Sequence, residues 1–121
     1  MKRKHGTALV ANEEKILAAI LRLTFSDQTP VHGYHLHTHL ATWEDESAVN
    51  HGTLYRCLRE LESRGLLLSE ISQVRNRLRV LYTLTPEGVE QARKSLLRLA
   101  ASDTPPSWAD ISLAIRPLPG A

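Results

Sequence analysis

Arg75, Arg77 and Arg79 recur at every second position within residues 71–86, a stretch that contains no acid. On a strand that spacing sends three guanidinium groups to one side, where they meet DNA phosphates or enter a narrow minor groove. The same spacing also protects a sheet edge against aggregation, and both readings can hold together. A second set, His51, Thr53, Tyr55, Arg56 and Arg59, surrounds Leu54, Leu58 and Leu61. Those leucines fall at i, i+4 and i+7, so one helical stripe is buried and the polar set faces outward or sits at the stripe's edge. From a helix in the major groove, His51, Thr53, Arg56 and Arg59 reach base edges and phosphates, and the Tyr55 hydroxyl suits a phosphate. The bland alternative is a solvated helix face with a few charges.

The histidines invite a metal. His32, His35 and His39 follow i, i+3, i+7 spacing, with His37 on another face. Adjacent turns can offer two imidazoles to zinc, yet no cysteine lies nearby and Glu44 falls beyond the helix end. Solvated or core-edge histidines are therefore expected, and no metal. The single cysteine, Cys57, permits no disulfide and no paired-cysteine site; beside the leucine stripe it reads as a buried thiol. A phosphate loop, a nucleophile elbow and an acidic metal cluster are all missing. Glu44-Asp45-Glu46 reads as a solvated turn. The residues call for no enzyme and no cofactor.

The elements that must position these groups fit one domain of 121 residues, 42% hydrophobic and 23% charged. Net charge is only +2, so the local basic stripe says more about a polyanionic partner than the total does. The longest apolar run, Ile16 to Leu21, is too short to span a bilayer. Met1-Lys2-Arg3-Lys4 imitates the start of a signal peptide, but Ala8 to Ala11 is too short for its apolar region, and a cytoplasmic chain is expected.

Residues 1–11 read as a basic flexible arm. Asn12 is expected to cap a first helix, with Glu13 and Glu14 in its first turn. A second helix is expected over His32 to Trp43, with Tyr34 and Trp43 as larger apolar contributors beside Leu36 and Leu40. Asn50 caps a third, which ends at Gly65. Leu66 to Ile71 reads as a strand, Gln73 to Arg77 as a turn, and Leu78, Val80, Tyr82 and Leu84 as alternate positions of a second strand. Thr85-Pro86-Glu87 then starts a helix carrying Val89, Ala92, Leu96 and Leu99. Residues 102–121 form a Pro-rich tail, with a short ordered piece around Trp108 to Ile115. Three helices, two strands and a helix make a mostly α protein with a small β-wing, a winged helix-turn-helix: residues 12–84 as the DNA-binding domain and 85–101 as a dimerisation helix.

Three ordered motifs carry a resemblance. His32-Gly33-Tyr34 opens the second helix, Asn50-His51-Gly52-Thr53-Leu54-Tyr55 opens the third and leads to Leu58, Leu61-Glu62 and Gly65-Leu66, and Leu84-Thr85-Pro86-Glu87-Gly88 closes the wing. Over residues 14–99 the chain resembles the PadR family of bacterial transcriptional regulators, whose pattern runs HGY, (S)PGTLYxxLxxLExxGL and YxLTxxG. The resemblance implies a homodimeric winged-helix repressor of the short form, with Thr53 and Tyr55 matching residues at the DNA surface. It also implies a dimer-interface cavity for planar aromatic effectors, to which no residue of this sequence is assigned. His51 and Arg56 replace prolines usual in the middle motif, and residues 76–85 replace a wing that usually reads close to GRPRKYYRLT, losing a glycine, a proline and a lysine.

Self-association is expected through the first and last helices. The first is apolar around most of its girth, and Ile16, Ile20 and Leu23 with Val89, Ala92, Leu96 and Leu99 exceed what one such core is expected to cover. The functional expectation is a sequence-specific homodimeric repressor on an inverted-repeat operator in double-stranded DNA, with no membrane partner. Two rivals stay open: a winged-helix module that binds protein, and a His-dependent metal sensor or enzyme.

Overall fold

The computed structural model describes residues 9–26, 30–41, 50–103, 105 and 110–118. Helix α1 spans Ala11–Phe25, strand β1 Val31–His32, helix α2 Gly33–Ala41 and helix α3 His51–Ser63. Strands β2 (Leu67–Val74) and β3 (Arg77–Leu84) form the wing, helix α4 covers Pro86–Ala100, and a 3-10 turn covers Ile111–Ala114. The helical order and the wing match the expected winged helix. The sheet, however, has three strands in the order β1-β3-β2, all antiparallel, where two were expected.

Local chemistry explains the helix ends. The Asn50 Oδ1 accepts from the Thr53 N–H at 2.8 Å and starts α3. At its other end the Leu66 N–H reaches the Leu61 carbonyl and the Gly65 N–H the Glu62 carbonyl, both at 3.0 Å, a Schellman closure with Gly65 at φ +79°. Thr85 caps α4: its Oγ accepts from the Gly88 N–H at 2.9 Å and donates to the Gly65 carbonyl at 2.7 Å, pinning the base of the wing to the end of α3. Asn12, expected as the first cap, lies inside α1. Val10 is the cap residue, because the Glu13 carboxylate reaches back to the Val10 N–H at 3.1 Å and fixes the start two residues earlier. Glu13 is buried and also meets Arg64, so its charge stays compensated. Residues 1–8 of the expected arm lie outside the described residues, and Leu9 packs on the core.

His32 departs from the expected second helix, and Tyr34, within it, from the expected apolar contribution. His32 belongs to β1, which pairs with β3 through Val31↔Tyr82 and His32↔Leu81. Tyr34 is 73% exposed, while Leu36 and Leu40 hold the core side of α2. Thr42 and Trp43, and the acidic turn after them, fall outside the described residues.

The expectation that one chain cannot cover its own apolar helices is corrected. Ile16, Ile20, Leu23, Ala92 and Leu96 are all buried within the single chain, because α1 is wrapped by α4, α3 and α2. Val89 and Leu99 are half-buried. Residues from the Pro-rich stretch complete the cover: Leu113 and Ala114 are buried, and Leu118 packs on the same core. Arg93 on α4 clamps that segment by donating to the carbonyls of Leu113 (3.1 Å) and Arg116 (2.9 Å), and the Arg116 guanidinium lies 5.3 Å from the Phe25 ring centroid. Among the described residues no helix is long and apolar enough to cross a membrane.

Candidate nucleic-acid interface

Helix α3 buries Leu54, Leu58 and Leu61 and turns other residues away from the core. Cys57 lies on the inner side, buried and free of any disulfide. Arg56 and Arg59 are exposed, and Thr53 is half-buried. The His51 side chain lies outside the described residues. Tyr55 is half-buried and does not simply face outward. Its ring lies against the backbone of Gly33, where an added Cβ would come within 2.6 Å of the phenolic oxygen. The expected phosphate-facing hydroxyl therefore sits at the start of α2.

The wing is longer than expected. β2 and β3 pair in unbroken register from Leu67↔Leu84 to Val74↔Arg77, so the turn contracts to two residues. Those residues, Arg75 and Asn76, both have positive φ (52° and 67°), the type I′ geometry whose twist matches a hairpin. This corrects the three-arginine stripe. Arg77 and Arg79 share one face of β3, while Arg75 sits at the tip, exposed, outside the strand's alternation.

On the opposite face, Ile71 and Val80 are cross-strand partners and Leu78 lies two residues from Val80. Ile71 and Leu78 are each 71% exposed, an apolar surface near the wing tip. The ribbon extends past the helices, so only its base, at Leu67, Tyr82 and the partly buried Leu84, reaches the core. Burial, with Tyr55 and Glu62 adding to it against a small opposing effect of Arg59, raises the pKa of the Tyr82 phenol.

Helix α3, the start of α2 and the wing enclose a groove of about 590 Å³ lined by His32, Gly33, Tyr34, Tyr55 and residues Arg77 to Val80. β1 pairs with β3 only at Leu81 and Tyr82, so among the described residues the outer edge of Arg77–Val80 has no strand beside it and opens onto this groove. The sequence reading missed Tyr34 and His32 as groove residues. His32 contacts Arg79, with Nη1 and Nδ1 2.9 Å apart. Its pKa is lowered by burial first, then by the Arg79 charge and by His35, so the ring favours its neutral form.

The histidine cluster is not the helical array that the spacing suggested. His32 is on a strand, and its ring meets that of His35 edge-on at 6.5 Å. Among the described residues no three His, Cys, Asp or Glu side chains are grouped to hold a metal ion. The groove thus presents guanidinium, phenol and imidazole groups along an open trough, a surface fitted to phosphates and base edges.

Comparison with known proteins agrees with this geometry. Residues 20–94 match the model of the transcriptional regulator PadR-like family. A solved crystal structure of a conserved protein of unknown function, described as a potential transcriptional factor, is 30% identical and superposes with a TM-score of 0.56, covering 78% of this chain and 82% of its own. None of the curated proteins compared with the chain matches it.

Proposed function

The chain belongs to the PadR-like family of transcriptional regulators, which act by binding DNA, and on that premise we propose that it is a cytoplasmic homodimeric repressor occupying an inverted-repeat operator. The observation that supports this reading most is the convergence of Tyr55 on α3 with Arg77 and Arg79 on the wing around one open groove, with Arg56 exposed on the same helix. In it, α3 reads the major groove through Arg56, Thr53, Arg59 and His51, while Tyr55 and the arginines of the wing, Arg75 included, meet the backbone. Two-fold pairing places inverted half-sites about one helical turn, roughly 34–36 Å, apart. Pairing uses what α4 leaves outward, Leu97, 45% exposed, with the half-buried Val89 about a quarter-turn round the helix and the half-buried Leu99 at its far side. Ile16, Ile20, Leu23, Ala92 and Leu96 support that face from beneath.

A second reading, a wing that docks protein, is favoured by the exposed Ile71, Leu78 and Val80 on one face of the ribbon. Titration of the protein with duplex DNA from upstream of its own gene, over a range of salt, separates the two. A DNA interface gives affinity that falls linearly in log–log form with salt, and Arg77→Ala with Arg79→Ala lowers the slope by up to about two. A slope unchanged by the double substitution removes the wing from the DNA surface.

A further inference from the structure

We propose that His32 is the positioning residue for Arg79: its Nδ1 accepts a hydrogen bond from the guanidinium and holds this wing arginine over the groove. The proposal rests on the reading of the groove as a DNA surface. Arginine can only donate, so a 2.9 Å contact between Arg79 Nη1 and His32 Nδ1 requires a bare Nδ1 and places the neutral ring's proton on Nε2.

The fold brings the pair together. His32 lies opposite Leu81 in the sheet, and Leu81 and Arg79 point to the same face of β3. The imidazole therefore stands beside the guanidinium from a separate element, 47 positions away in sequence. Arg77, on that face one step nearer the tip, has no such holder among the described residues. Arg79 meets DNA already ordered, and Arg77 meets it as a flexible charge.

The groups facing His32 are Arg79 and Arg77 from β3, His35 and Tyr34 from α2, and Tyr55 from α3. Burial, Arg79 and His35 all favour the neutral ring, which is the form able to accept. A second proton on the ring removes the lone pair, repels Arg79 and adds a positive charge beside the DNA. The added charge favours any duplex, whereas the loss of a fixed Arg79 lowers discrimination. Acidification therefore decreases the ratio of specific to random-duplex affinity while random-duplex affinity rises.

A double-mutant cycle on DNA affinity tests this. His32→Ala is expected to weaken specific binding roughly two- to tenfold, the range of one hydrogen bond. In an Arg79→Ala background it is expected to do nothing further. His32→Asn, whose Oδ1 can accept in place of Nδ1, is expected to restore most of the loss and to abolish the pH dependence of the ratio. Equal losses in both backgrounds, or Asn no better than Ala, overturn the proposal. Nitrogen NMR of the ring checks it without DNA: a proton on Nδ1 of the neutral ring overturns it regardless of how the variants fold. If Arg79→Ala itself leaves affinity and salt slope unchanged, the DNA reading of the wing fails; if Arg79→Ala weakens binding but the cycle is additive, only the role of His32 fails.

Discussion

The backbone of Gly33 and the ring of Tyr55 occupy adjoining space, so that a Cβ on Gly33 would lie 2.6 Å from the phenolic oxygen and 3.0 Å from Cε1. The contact joins the first turn of α2 to the middle of α3 and explains why these two motifs carry a glycine and a tyrosine. A second close approach, Gly88 against Leu66, has a different character, since the Cβ there would fall 2.0 Å from a backbone carbonyl oxygen.

The two glycines should therefore respond differently to alanine. In Gly33→Ala the far end of the Tyr55 side chain can swing aside, so DNA affinity falls more than stability does. In Gly88→Ala the start of α4 must move off the wing, at about 1–3 kcal/mol for an overpacked site. Urea denaturation and DNA titration of both variants check the contrast; an unchanged unfolding midpoint for Gly88→Ala would contradict it.

Arg56 lies on the exposed side of α3, where the proposed reading gives it a base contact. Arg56→Ala is expected to weaken specific binding by roughly 1–3 kcal/mol and to relax preference at one base position. Binding selections from randomised duplexes read this directly, and an unaltered preference with intact folding would remove Arg56 from base readout.

Leu96 and Leu97 are neighbours with opposite surroundings, the first fully buried and the second 45% exposed. Leu97→Glu is expected to give a folded monomer with sharply reduced operator affinity, whereas Leu96→Glu unfolds the chain by burying an unpaired carboxylate. Light scattering with circular dichroism distinguishes them. A Leu97→Glu protein that stays dimeric places the pairing surface elsewhere.

His32 and His39 both have pKa values lowered from 6.5, each chiefly by burial. The unfolded chain then binds more protons than the folded one as pH falls through about 6.5, so folding stability is fully present above that pH and declines toward the lowered values. Melting temperature should drop between neutral and mildly acidic pH. His39→Gln should flatten the drop, and a pH-independent melting temperature over that window would refute the assignment.

Arg93 holds the segment around Leu113 by two carbonyl contacts. Deleting residues 103–121 should lower the melting temperature and increase self-association, because the surface of α1 and α4 beneath Leu113, Ala114 and Leu118 becomes exposed. Arg93→Gln should do the same more weakly. Unchanged stability on deletion would mean that the segment contributes nothing to the core.

Much of the fold was legible because its determinants are local. Asn50 and Thr85 cap helices through groups three residues away, and Leu54, Leu58 and Leu61 share a stripe by helical geometry alone. The wing arginines were visible as a charge pattern, though not the tight turn that sets Arg75 apart, since non-glycine residues rarely adopt positive φ and neither Arg75 nor Asn76 is glycine. The rest depended on partners distant in sequence. Val31 and His32 are too few to show a period and become a strand only through Tyr82 and Leu81. Tyr34 is exposed because α2 buries its other side, and the apolar girth of α1 is covered by α4 and by a segment nearly a hundred residues away. Composition fixes how much apolar surface must be buried, but which neighbour buries it is settled by packing in three dimensions, where separation along the chain counts for little.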